Sequence, residues 1–194
     1  MKIIFISALI LCSLLSANLL KAQKDYVVTL AGDTLKGEVF TTLLGSLKFA
    51  DQSTGKEQKL TYANTKLYFI SDDSLTYVAV KTSPDAKPQF LKRVLGGRIQ
   101  LFEKYITYAG RAGTAGPSNT FWYAIKGTET AIEIKTNNIF GSRTQRKENF
   151  NNLIADYPEL LEDFRKEKDF SFEMLRSYIR KYNYYFEHIK KETK

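Results

Sequence analysis

The 194-residue chain offers few side chains for chemistry: it holds one histidine, His188, and one cysteine, Cys12. A catalytic nucleophile needs a base within hydrogen-bond reach. His188 stands in a lysine-rich tail beside Ile189, three residues after Tyr185, and reads as a partly exposed helix residue in preference to a catalytic base. No GxSxG, HExxH or phosphate-loop pattern occurs. Asp72 and Asp73 are adjacent, so on a strand they would point to opposite faces. A polar turn is expected there, in preference to half of a calcium site. Carboxylate pairs of the glycosidase kind leave no spacing to read in a sequence. The sequence therefore assigns no catalytic residue, no metal ligand and no cofactor.

One constellation could hold a ligand, and it is basic and aromatic. Lys92, Arg93, Arg98 and Arg111 precede Phe121, Trp122 and Tyr123. Cations beside stacking rings grip sugars or single-stranded nucleic acid. Lys92, Arg93, Arg98, Arg111 and Trp122 are accordingly the candidate binding residues. The competing and favoured expectation is an alternating strand of core aromatics flanked by wet basic positions. Trp122 is out of phase with Phe121 and Tyr123, so one of the two faces is exposed or covered by helices. Gly110, Gly113 and Gly116 superficially suggest a phosphate cradle, but that chemistry needs a helix N-terminus after the loop. An aromatic strand follows instead, so residues 109–118 are expected to be a flexible hairpin loop.

The N-terminus sets the compartment in which these residues would work. Lys2, an apolar run over residues 3–20 and a small residue at Ala22 form a secretory signal pattern, with cleavage expected after Ala22. The alternative is an uncleaved anchor, since about 18 apolar residues just span a bilayer; Ser7, Ser13, Ser16 and Asn18 speak against it. Leu11, just before Cys12, is not the small residue a lipoprotein signal wants. The expected location is the periplasm, the outer-membrane surface or the exterior. Removing 22 of 194 residues leaves 172, enough for a real core. It also removes Cys12, and with it any disulfide or thiol chemistry. Lys2 and Lys21 carry two of the eight net positive charges, so the mature chain holds +6. Its bases are dispersed, which favours a solvated basic surface over a dedicated anion site.

The elements that must position these residues fall into two blocks. Residues 25–71 show five short apolar runs, with Gly32-Asp33 as a turn and Leu35, Gly37 and Val39 alternating with Lys36 and Glu38. Gly37 in mid-strand predicts a bend or bulge. Leu60 and Tyr62 are expected on the fourth strand. Further strands are expected at residues 75–81, 90–95 and 99–105, the last two joined by Gly96-Gly97, then at 121–125 and 131–134 around Gly127-Thr128. Helical spacing takes over near Ile139. Ser142 with Gln145 reads as a capping box, Asp156 with Pro158 and Glu159 as a second helix start, and Ser171 as a third cap. Phe170 and Leu175 form a hydrophobic staple. Leu175, Tyr178, Ile179, Tyr182, Phe186 and Ile189 mark one face of the last helix. That tyrosine-rich helix could lie on a membrane surface, but packing on the sheet is expected, because a sheet of this size needs a covering layer.

The fold class expected is α+β. An antiparallel β-rich domain over residues 23–137, with a small-barrel-like first half and a β-meander, precedes three C-terminal helices within residues 138–194. The run "GDTLKGEV" followed by "KLYFI" resembles small SH3-like or Sm-like barrels. The segments "DYVVTLAGDTLKGEV", "FLKRVLGGRIQLFEKY", "TFWYAIKG" and "NLIADYPELLEDF" together resemble a family of uncharacterised secreted proteins of Bacteroidota-type bacteria. That resemblance implies the architecture and transfers no functional residue. The functional expectation is an exported, non-enzymatic binding module. Its alternatives are a basic protein that binds anionic lipid or glycan surfaces, and a carboxylate-dependent hydrolase. An envelope protein, glycan or anionic lipid is the expected partner class; nucleic acid does not suit an exported chain, and the oligomeric state stays open.

Overall fold

A computed structural model describes residues 24–110, 114–127 and 130–189. The signal segment with Cys12, and Arg111 and Gly113, lie outside these residues. Ten strands form one antiparallel sheet: β1 (Asp25–Thr29), β2 (Thr34–Thr41), β3 (Leu47–Asp51), β4 (Glu57–Lys59), β5 (Thr65–Ile70), β6 (Leu75–Val80), β7 (Gln89–Leu95), β8 (Gln100–Ala109), β9 (Ala115–Ile125) and β10 (Ile132–Thr136). Their order is β10-β9-β8-β7-β6-β5-β1-β2-β3-β4. Among the described residues three helices follow, α1 (Arg143–Ile154), α2 (Pro158–Lys166) and α3 (Phe172–Tyr184), and α3 runs on into a π-helical turn, Tyr185–Ile189. The chain is thus α+β, as expected. Among the described residues no helix is long and apolar enough to cross a membrane.

The first half curls without help from a helix. Val27 of β1, Phe49 of β3, Leu60 and Tyr68 of β5 share one core, with Leu35, Val39 and Tyr77 against it. β2 lies between β1 and β3, so Val27 and Phe49 meet only if the sheet bends. Gly37 leaves room for that approach. It pairs with Asp25 on one side and Asp51 on the other, and Phe49 packs over it so closely that a Cβ would lie 2.7 Å from the ring. Beyond the end of β1 the Val39 N–H donates to the Asp25 carboxylate at 2.9 Å, and that carboxylate also accepts from the Ser71 N–H and hydroxyl at 2.8 and 2.7 Å. The strand order β5-β1-β2-β3-β4 matches the small-barrel pattern, but β4 ends the sheet as an edge and does not pair with β5.

Two further cores lie beside β6 to β10. On one face Ile99, Leu101, Trp122, Ala124 and Ile134 pack under the helices against Phe150, Phe164, Leu175, Ile179 and Tyr182. On the other face Val80, Leu91, Phe102 and Ala131 form a separate cluster, closed by a parallel bridge between Lys81 and Thr130. The tyrosine-rich face of α3 is therefore spent on the sheet.

Several local expectations need correction. Leu60 and Tyr62 are not on a strand: β4 stops at Lys59, Leu60 turns into the core, and Tyr62 sits in the turn closed by Asn64, whose side-chain oxygen accepts from the Thr61 N–H at 2.9 Å. Residues 115–118 are not loop but the start of β9, whose Ser118 partners Thr107. Asp156 is not the cap of α2. Tyr157 holds that position with no side-chain bond, and Asp156 turns to other partners. The caps at Ser142 and Ser171 are formed, accepting from Gln145 and Met174 N–H groups at 3.1 and 3.2 Å. The Gln145 side chain does not return to Ser142; it donates to Asn149 at 3.1 Å.

Candidate functional site

Residues in cross-strand register share a face of the sheet. Leu35, Val27, Tyr68, Tyr77, Lys92, Glu103 and Trp122 stand side by side on successive strands, and Lys135 follows after a bulge. This row begins in the curled core and ends beneath the helices. Its charged middle, Lys92 and Glu103, is the seam between them. Glu103 is ion-paired with Lys92 and accepts from the Trp122 indole N–H at 3.1 Å. Burial pushes the Glu103 carboxyl up, but bonds from Lys92 and Trp122 and the charges of Lys92 and Arg176 outweigh it, and the group stays below the ordinary glutamate range. The Arg176 Nε is buried with no hydrogen-bond partner among the described residues.

The four candidate binding residues that the structure describes do not converge. Lys92 and Trp122 meet through Glu103. Trp122 is only 6% exposed and packs edge-on against Phe172 at 4.8 Å, so its ring offers no open face for stacking. Arg93 pairs with Phe102, on the opposite face of the sheet from Lys92. Arg111 lies outside the described residues. Arg98 belongs to a different cluster, at the β7–β8 turn. Its Nε donates to the Tyr182 hydroxyl at 3.1 Å, and its guanidinium lies 4.4 Å from the Phe186 ring centre. Asp156 is the hub of that cluster: it accepts from Tyr182 at 2.8 Å, Lys126 at 3.0 Å and Arg98 at 3.4 Å. Burial raises the Asp156 carboxyl, yet the bonds from Lys126 and Tyr182 hold it below the usual aspartate range. Burial and the same carboxylate push the Tyr182 phenol up to about 12.

Sequence reading missed Asn183, which fastens this turn. Its side chain accepts from the Ile99 N–H at 2.8 Å and donates to the Gly96 and Ile99 carbonyls at 2.9 Å each. Gly97 has φ +120, a backbone region that favours glycine, and a Cβ there would also lie 2.4 Å from the Asn183 amide nitrogen, so glycine is required twice over. The Gly96-Gly97 pair was the signal available.

The longest exposed element is a ribbon. β7 partners β8 at Leu101, Phe102 and Glu103, and β10 partners β9 from Phe121 to Ala124. From Ile106 to Ala109 and from Ala115 to Asn119, the ladder joins β8 and β9 to each other alone. Tyr105 is 65% exposed, and Tyr108 is exposed with its hydroxyl 3.4 Å from the Asn119 amide. Pro117 is tolerated because β9 has one neighbour there. No acid occurs between Glu103 and Glu129.

The remaining acids sit in ordinary roles. A shallow groove beside β1, β2 and β3 is lined by Asp25, Lys36, Glu38, Asp51 and Asp72. Burial raises the Asp25 carboxyl, but its bonds from Ser71 and Val39 bring it below the usual range; the Ser53 hydroxyl does the same for Asp51. Asp72 and Asp73 lie in a turn, and His188 is exposed against Tyr184. Among the described residues no three His, Cys, Asp or Glu side chains group as a metal site. Compared with protein-family models, curated proteins and solved structures, the chain matches none.

Proposed function

We propose that this protein is an exported envelope protein that works as a binding module, and that the β8–β9 ribbon is its contact element. The observation that carries this reading is the ribbon itself, two strands paired only to each other and displaying Tyr105 and Tyr108. Tyrosine supplies large contact area at low entropic cost, while Ser, Gly and Asn supply adaptable hydrogen bonds. Residues 104–120 include Tyr105, Tyr108, Ser118, Asn119 and three glycines, with Lys104 and Arg111 as their only charges. The sheet and helices behind the ribbon give it a rigid base. A hydrolytic role draws less support, because an acid catalyst needs a raised carboxyl, and Asp25, Glu103 and Asp156 are all held low. The signal segment and the basic charge favour an envelope partner, protein or glycan. The test is capture from envelope extracts with the mature protein and a Tyr105→Ser/Tyr108→Ser variant. A partner recovered by the first and lost by the second is expected. Equal recovery by both, or none by either, rejects the ribbon as the contact.

A further inference from the structure

The β2–β3 hairpin ends in two leucines with nothing over them among the described residues. Leu43 is 107% and Leu44 96% exposed relative to a free side chain, a costly display in water. The turn beneath them is internally bonded. The Thr42 N–H donates to the Ser46 carbonyl at 2.9 Å, the Gly45 N–H to the Thr42 carbonyl at 2.8 Å, and the Ser46 N–H to the Thr42 hydroxyl at 3.1 Å. These bonds satisfy the backbone at the base of the tip, so the insertion is shallow and keeps the Leu43 and Leu44 backbone at the hydrated headgroup level. No acid lies between Glu38 and Asp51. Behind the tip Lys48 pairs in register with Lys59. Glu57 pairs with Lys48 at 3.0 Å, which leaves one cation in excess. At about 3.3 Å per strand residue, Lys48 stands roughly 7 Å behind the Thr42–Ser46 pair that closes the turn, within the headgroup layer when the leucines reach the acyl boundary.

We infer that Leu43 and Leu44 are a membrane-contacting wedge, inserted into the surface of a bilayer containing anionic phospholipid. Two side chains fall far short of the roughly 800 Å² per partner of a stable protein interface, whereas shallow insertion needs only a small apolar tip with cations behind it.

The chain from Gln23 onward contains all three apolar cores and lacks the apolar N-terminal run, so it is the form to test. Its sedimentation with mixed phosphatidylcholine–phosphatidylglycerol vesicles should fall at least about tenfold in Leu43→Ser/Leu44→Ser, with thermal stability unchanged. Leu43→Phe/Leu44→Phe should retain binding. In Leu44→Trp, lipid with brominated acyl chains should quench the new fluorophore. Unchanged binding by the serine variant, no binding by the parent chain, or an unquenched Trp would each overturn the wedge. So would a dimer of the parent chain that the serine variant dissociates without any vesicle binding.

Discussion

Single polar side chains fix the register between distant elements here. Asn183 makes three bonds from α3 to the residues around the β7–β8 turn, two of them fully buried. Truncating it leaves buried backbone groups without partners, which costs far more than the net value of the bonds. Asn183→Ala should therefore lose about 2–4 kcal/mol, read from urea unfolding; a loss under about 0.5 kcal/mol would show that the turn holds itself. Asp156 makes a prediction of opposite character, tied to pH. Its folded carboxyl is held below the unfolded value, so its contribution is present above the unfolded pKa and is lost as pH falls through the folded one. Asp156→Asn should be less stable than the parent at pH 7, and the gap should close below about pH 4. A gap that stays constant well below the ordinary aspartate pKa of about 3.9 would mean that shape, not charge, is what Asp156 supplies.

At the scale of elements, Gly37 has the clearest consequence. A Cβ there would lie 2.0 Å from the Ala50 carbonyl oxygen as well as against Phe49. Backbone cannot give way as a flexible side chain can, so Gly37→Ala must separate β2 from β3 or displace Phe49. It should cost about 2–4 kcal/mol, measured by thermal and urea unfolding; a neutral outcome would deny the close approach. Gly37 was legible in the sequence because a glycine in mid-strand is a local anomaly. The caps at Ser142 and Ser171 and the buried pair Phe170 and Leu175 were legible for the same reason, since their partners lie within a few residues. Asp156 was not, because Arg98, Lys126 and Tyr182 stand 58, 30 and 26 positions away. Residues 115–118 read as loop in the sequence because Gly116 and Pro117 weaken an ordinary strand, and a strand with a neighbour on one side only tolerates them. For the binding residues, sequence proximity of Lys92, Arg93 and Arg98 hid the alternation that sends Lys92 and Arg93 to opposite faces.

At the scale of the molecule, the question is whether the curled half and the helix-covered half unfold as one. Their cores are separate clusters, as two domains would have. Yet β5 pairs with β6 over four residues, and the row from Val27 through Tyr68, Tyr77, Lys92 and Glu103 reaches Trp122 without a gap. Stacked Tyr68 and Tyr77, 4.9 Å apart, and Phe90 carry the first core onto β6 and β7. Losing the first core would therefore strip packing from strands that the second core also needs, which argues for a single cooperative transition. The chain's one tryptophan makes this measurable, because Trp122 lies wholly in the helix-covered half. Phe49→Ala empties the centre of the curled core and should cost about 3–5 kcal/mol. If the sheet couples the halves, Trp122 emission and far-ultraviolet circular dichroism will shift to the same lower midpoint. If the halves are independent, the Trp122 transition will stay where it is in the parent chain while only part of the dichroism signal moves. The unbroken ladder favours the first outcome, since loss of β5 would leave β6 a bare edge and strip Tyr77 and Phe90 of the Tyr68 packing.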